Sequence, residues 1–201
     1  RKYLAGTTAS GLYEARLGYE EFGKETHVFS PAYTEEEFQG LLQYADHMIF
    51  NSPKQVRKFA QRAKAAGKEV GLRVNPECST QEGHAIYDPC SPGSRLGTTL
   101  GNFEEELVSM LDGLHFHTLC EQGADALEIT LQAVEEKFGK YLYRMKWLNL
   151  GGGHHITRED YDVSGLIAMI QRLRRKYGIE VYLEPGEAVV LNAGFLVSTV
   201  L

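Results

Sequence analysis

The chain has 201 residues, 43% hydrophobic and 24% charged, with a formal net charge of -6. That balance is ordinary for a globular protein able to bury about 70% of its unfolded surface. The acidic excess excludes a general nucleic-acid binder, which needs a basic stripe to neutralise phosphates.

No run approaches the ~20 apolar residues that span a bilayer. Cys78, Cys90 and Cys120 form no C-x-x-C pair, and a sparse, odd count suits a reducing cytoplasm. At the start, "RKYLAG" reads as the last turn of a helix ending at Gly6, which implies a piece whose N-terminus lies upstream. "TTAS" is a short β-branched strand, and "GLYEARLGYEEFG" a helix with a Gly stop. "THVFS" reads as a strand. "TEEEFQGLLQYA" reads as a helix opened by Thr34 with Glu37 three residues on, a capping-box pattern. "HMIFNS" is a strand, and "SPKQVRKFAQRAKAAG" a helix with Ser52 as N-cap, Pro53 at its first position and Gly67 at its end.

"EVGLRVNP" is a strand stopped by Pro76, after which residues 77–95 show no periodicity and hold Gly83, Pro89, Pro92 and Gly93. A loop of that length in a tight chain is more often functional than idle. A short acidic helix near Phe103–Ser109 precedes the strand "LDGLHFHTL" and the helix "ADALEITLQAVEEKFG". "MKWLNLGGG", "YDVSGLIAMIQRLRRKYG" and "EVYLEPGEAVV" follow as strand, helix and strand, and "AGFLVSTVL" looks like one more strand.

Seven strands that feed helices imply a parallel sheet with helices outside it. The pattern points to an eight-stranded β/α barrel without its first strand, with a doubly wound open sheet as the rival. In a barrel the site collects where strands end. There the chain places Ser10 and Glu14, Ser30, Asn51 and Ser52, Arg73 and Asn75, His115 and His117, Gly151 to His155, and Glu184 to Glu187.

Gly151, Gly152 and Gly153 at a strand end suit a backbone nest for an anion, and the N-terminus of the next helix adds favourable potential; a tight turn needing φ > 0 is the plain alternative. His154 and His155 are neighbours and point to opposite sides if extended, so a metal site finds little support in them. His115 and His117 share a strand face and point inward if Phe116 packs under the helices; each suits either a hydrogen-bonded core role or a stack on a planar ligand. Glu184, fixed before a Pro-Gly turn, suits a buried cationic nitrogen, and Glu187 beside it asks for a further cation; Arg73 is an always-charged partner.

"GLHFHTLCEQ", "LNLGGGHHI" and "LEPGEA", in this order, resemble the fold-type III pyridoxal-phosphate decarboxylases that act on diaminopimelate, ornithine and arginine. "NPECSTQEGHAIYDPCSPGSRLG" is similar to the branch acting on carboxynorspermidine and carboxyspermidine. The resemblance implies an alanine racemase-like, α/β (β/α)8 barrel over residues 1–190, and the start of a C-terminal β domain over 191–201. It implies pyridoxal 5'-phosphate as cofactor and decarboxylation of the carboxylated triamine to norspermidine or spermidine by a cytoplasmic homodimer. By the same resemblance His117 stacks on the pyridoxal ring, Gly151, Gly152 and Gly153 hold the phosphate, and Glu184 pairs with the pyridine nitrogen. Arg73 lies near the cofactor, and Arg95 in "SRLG" stands where relatives carry a basic residue.

Two departures bear on substrate. Glu187 stands where relatives of the Glu-Pro-Gly-Arg form carry an arginine, and "TLCEQ" replaces a Gly-Ser, which puts Glu121 near the site. Both favour a polycationic substrate held by Glu187 and Glu121. The Schiff-base lysine of the family is expected upstream of Arg1, Lys2 being poorly placed for it. Alternatives are decarboxylation of diaminopimelate, arginine or ornithine, a non-catalytic cofactor-binding barrel, or a metal-dependent hydrolase on the same fold.

Overall fold

A computed structural model describes residues 2–81, 88–195 and 197–199. Arg1, Gly83 and the rest of 82–87, and part of the tail lie outside the described residues. Seven strands pair in unbroken chain order, all parallel: β1 (Gly6–Ala9), β2 (Glu25–Phe29), β3 (His47–Phe50), β4 (Glu69–Arg73), β5 (Gly113–His115), β6 (Trp147–Asn149) and β7 (Glu180–Tyr182). The helices between them are α1 (Leu12–Leu17, extended by one wider turn to Phe22), α2 (Glu35–Leu41), α3 (Pro53–Ala65), α4 (Ala124–Leu142), α5 (Val163–Tyr177) and α6 (Gly186–Val190).

The strands alternate as a barrel requires. Val28, Met48, Leu72, Leu114, Phe116 and Leu148 are buried in the apolar layer beneath the helices. The opposite face carries His27, Phe29, His47, Arg73, His115, Trp147, Asn149 and Tyr182. Its curvature follows from one contact: His27 of β2 meets Tyr182 of β7 with ring centroids 4.7 Å apart, although the two strands stand far apart in the sheet. The sheet is therefore rolled, and the unbroken strand order excludes the doubly wound alternative, whose order reverses. Among the described residues β1 and β7 share no ladder. A groove of ≈ 300 Å³ runs between them, lined by Gly6, Thr7, Thr8, Leu183 and Glu184 among others.

Trp147 fills the barrel floor because Gly71 and Gly113 leave it room; a Cβ there would lie 2.4 and 2.0 Å from the indole. Its Nε1 donates to Glu69 Oε2 at 2.7 Å, which satisfies a buried donor. The helix ends follow the sequence closely. The Thr34–Glu37 capping box forms, Ser52 caps α3, and Gly67 (φ 75°) and Gly178 (φ 71°) end α3 and α5 in the left-handed region.

Three expectations are corrected. Gly6 ends no helix; it opens β1, and a Cβ there would lie 2.1 Å from the Glu25 carbonyl oxygen, so close strand pairing requires the glycine. "EVYLEPGEAVV" is a strand only to Tyr182, and Gly186–Val190 turn into α6. The described residues of the tail, 193–195 and 197–199, form no strand.

Candidate active site

The centre lies where β4, β5, β6 and β7 end, and period-two alternation selects its residues. Arg73 closes β4, His115 closes β5 with His117 two residues on, Asn149 closes β6 with Gly151 two on, and Glu184 follows β7 by two. The expected inward turn of His115 and His117 holds: Phe116 between them is fully buried in the apolar layer, and the two imidazole centroids are 6.5 Å apart.

The Glu184 carboxylate is 12% exposed. Asn149 Nδ2 donates to its Oε1 at 2.8 Å, and His115 Nε2 faces Oε2 at 3.4 Å. Burial pushes this carboxyl upward, but His115 and Asn149 outweigh it and hold the group well below the usual carboxylate range. Burial lowers the His115 imidazole, while the Glu184 carboxylate beside it works against that shift.

Arg73 is 5% exposed. Its Nη2 donates to the His117 carbonyl at 3.2 Å, and its guanidinium lies 4.6 Å from the centroid of Phe29. The same Phe29 ring stacks with His115 at 5.5 Å. Burial lowers the Arg73 pKa to about 10, which leaves it cationic. Burial, with Arg73 adjacent, holds the His117 imidazole down to about 4. His117 Nδ1 accepts from the Gly152 N–H at 3.3 Å, which places the ring proton of this neutral imidazole on Nε2.

The three glycines are required by both conformation and contact. Gly151 and Gly153 have φ of 73° and 80°. A Cβ on Gly151, Gly152 or Gly153 would lie 2.4, 2.8 or 2.2 Å from the carbonyl oxygens of Phe116, Glu184 or Leu119. Their amides are unequal. Gly151 N donates to Asn149 Oδ1 at 2.8 Å and Gly152 N to His117, which leaves Gly153 as the glycine whose N–H has no partner among the described residues. At the start of α5 the cap Asp162 accepts from Gly165 N at 2.8 Å.

His154 is buried with Nε2 3.3 Å from the Leu150 carbonyl oxygen, and His155 Nε2 lies 3.8 Å from Glu187 Oε1. Glu187 is half-exposed on α6, and Glu121 is exposed with φ 54°. Burial raises the Cys120 thiol, and the charges of Glu121 and Glu187 add to it. Arg95 is exposed; it is held through its carbonyl, which accepts from Asn51 Nδ2 at 2.8 Å, and no contact brings its guanidinium to these residues among those described.

Two residue sets have donors within 4.8 Å of one another: His115, His117 and Glu184, and Glu25, His27 and His47. Arg73 beside the first opposes a dication and suits an anion. In the second, His27 and His47 stack face to face at 3.9 Å and 9°, so their in-plane lone pairs do not converge on one point. A planar heterocycle carrying a phosphate fits the first set better. A neutral imidazole face, a buried carboxylate and a glycine turn share one mouth, and His115 Nδ1 is buried without a hydrogen-bond partner among the described residues.

Sequence reasoning missed Asn149, Phe29 and Gln122. The first two share strand faces with Gly151 and His27, a period-two signal that was present. Gln122 ties the mouth together: its side chain accepts from Thr80 Oγ1 and Gln81 Nε2 and donates to the Thr80 carbonyl, while its backbone pairs with Gly153 and His155.

No family model matches the chain. It is 47% identical over 199 residues to a carboxynorspermidine/carboxyspermidine decarboxylase of Campylobacter jejuni, covering 99% of this chain and 51% of that protein. It is 42% identical over 201 residues to a carboxyaminopropylagmatine decarboxylase of Synechocystis, covering 100% of this chain and 52% of that protein. The crystal structure of carboxynorspermidine decarboxylase with norspermidine from Campylobacter jejuni superposes with a TM-score of 0.83 at 46% identity, covering 94% of this chain and 48% of the other. The chain thus spans about half the length of the curated relatives it matches.

Proposed function

Over the half of their length that it spans, the chain is homologous to carboxynorspermidine/carboxyspermidine decarboxylases, and from that premise we propose that the protein is a pyridoxal-phosphate-dependent decarboxylase of a carboxylated polyamine, forming norspermidine or spermidine. The observation that carries this reading is the buried, anionic Glu184 between Asn149 and His115, beside the neutral face of His117.

In this reading His117 supports one ring face and Gly153 offers its free N–H to the phosphate, while Gly151 and Gly152 shape the turn. Arg73 supplies a fixed positive charge. Glu184 holds a proton on the ring nitrogen, because a carboxylate kept anionic at neutral pH prefers a cationic partner. The bound cofactor then supplies an electron sink for the charge left when CO2 departs. Glu121 and Glu187 at the rim receive the substrate's distal ammonium groups.

A second substrate is favoured by the Synechocystis relative: carboxyaminopropylagmatine, whose guanidinium end the same rim carboxylates would accept. Carboxynorspermidine and carboxyspermidine differ by one methylene, worth ~1 kcal/mol or so. The test is CO2 release by the full-length protein from these three substrates and meso-diaminopimelate, with and without added pyridoxal phosphate. Release from diaminopimelate alone, or none from any, would overturn the reading. A cytoplasmic homodimer belongs to the same proposal, and light scattering of the purified full-length protein checks the dimer.

A further inference from the structure

Asn149 is fully buried, and both ends of its amide are engaged. Nδ2 donates to Glu184 Oε1 and Oδ1 accepts the Gly151 N–H, each at 2.8 Å. The Glu184 N–H in turn donates to the Gly151 carbonyl at 2.8 Å. One side chain, on β6, is thus bonded both to the carboxylate after β7 and to the first glycine of the turn. A buried amide needs partners in any core. What distinguishes this one is that its partners serve opposite ends of the ligand under the proposed function.

We propose that Asn149 is a positioning residue: it holds the Glu184 carboxylate in register with the glycine turn, and its donated N–H adds to the stabilisation of the ionised carboxylate. The assignment of ligand ends rests on the proposed decarboxylase reading, whereas the effect on Glu184 does not. Glu184 is faced by His27 from β2, Arg73 from β4, His115 and His117 from β5 and the turn after it, and His154. Four of these are imidazoles whose charged form burial disfavours. Arg73, the fixed cation, donates its hydrogen bond to the His117 carbonyl. Asn149 therefore makes the well-formed hydrogen bond to the carboxylate.

Two substitutions in the full-length protein separate the roles. Asn149→Ala removes both bonds. Asn149→Asp keeps an acceptor for the Gly151 N–H but sets a second carboxyl against Glu184. The two then share one proton as pH falls, which restores a donor. In the cofactor-free protein the Glu184 carboxyl carbon, followed by 13C NMR, should titrate at least about one pH unit higher in Asn149→Ala. Equilibrium dialysis should show Asn149→Asp binding pyridoxal phosphate about tenfold more weakly than the parent at pH 8.5. The difference should be within about threefold at pH 6, with affinity for inorganic phosphate unchanged throughout. An unmoved Glu184 titration in Asn149→Ala, or the same loss at both pH values in Asn149→Asp, overturns the proposal. If the parent does not bind pyridoxal phosphate, the decarboxylase reading fails, and the carbon titration still decides the role of Asn149. Far-UV circular dichroism confirms folding; should Asn149→Ala not fold, the Glu184 titration is read in Asn149→Asp, where a midpoint equal to the parent's overturns the proposal.

Discussion

The Gly152 N–H donates to His117 Nδ1 across 3.3 Å, so the imidazole and the glycine turn form one continuous surface. A methyl group on Gly152 would sit 2.8 Å from the Glu184 carbonyl oxygen and 3.1 Å from His117 Cε1. Neither the backbone nor a ring that accepts the Gly152 N–H gives way easily. Gly152→Ala should therefore lower pyridoxal-phosphate affinity by about tenfold or more while the protein remains folded, because such misplacement near the reacting centre is expensive. Equilibrium titration against the parent checks it.

Glu184→Gln removes the buried negative charge that the proposed reading sets against the cofactor's ring nitrogen, while keeping shape and one acceptor. Turnover should fall by roughly two to three orders of magnitude, the scale expected when a preorganised electrostatic partner is removed, with KM little changed. Single-turnover CO2 release reads the chemical step directly. A fall confined to KM would place Glu184 in substrate binding instead.

Glu187 is half-exposed and 3.8 Å from a histidine, so its pull on a substrate ammonium is screened. Glu187→Gln should raise KM for a carboxylated triamine about two- to fivefold and leave kcat unchanged, and the effect should shrink in high salt. An unchanged KM at low salt removes it from the binding rim.

Gly113→Ala tests the barrel floor rather than the site. The added Cβ would fall 2.0 Å from the Trp147 indole, beside a ring already fixed by Glu69. Overpacking of this kind costs about 1–3 kcal/mol, and denaturant midpoints should drop accordingly. Gly67→Ala, where a Cβ meets open space, loses only the conformational preference of its left-handed φ.

Burial, reinforced by a neighbouring imidazole for one and by Arg73 for the other, holds the His47 and His117 imidazoles down to about 4, against 6.5 unperturbed. A group with a depressed folded pKa contributes stability above its unfolded value and loses it as pH falls through the folded one. Thermal midpoints should therefore decline between about pH 6.5 and pH 4. His47→Gln should make that decline shallower, a comparison calorimetry can make.

Much of this architecture was legible because it is written in local period. The β-branched runs, the Thr34–Glu37 box and the glycines at 67 and 178 announce strand, start and stop without reference to distant residues. Gly6 was misread because its reason is the Glu25 carbonyl on another strand. The site divided the same way. His117, Glu184 and the glycines stood out by type and place, whereas Asn149 did not, since its meaning depends on Glu184, 35 residues away. The glycine triplet suggested three equivalent amides; only side chains arriving from other strands distinguish Gly153 from its neighbours.

Arg73 and His115 lie inside strand ladders, whereas Glu184 stands two residues past β7, where its backbone N–H is held by the Gly151 carbonyl and its carboxylate by Asn149. The carboxylate and the glycine turn are therefore tied by backbone as well as side chain, so a change forced on one reaches the other: Gly152→Ala should speed amide exchange at Glu184 more than at Leu72 or Leu114.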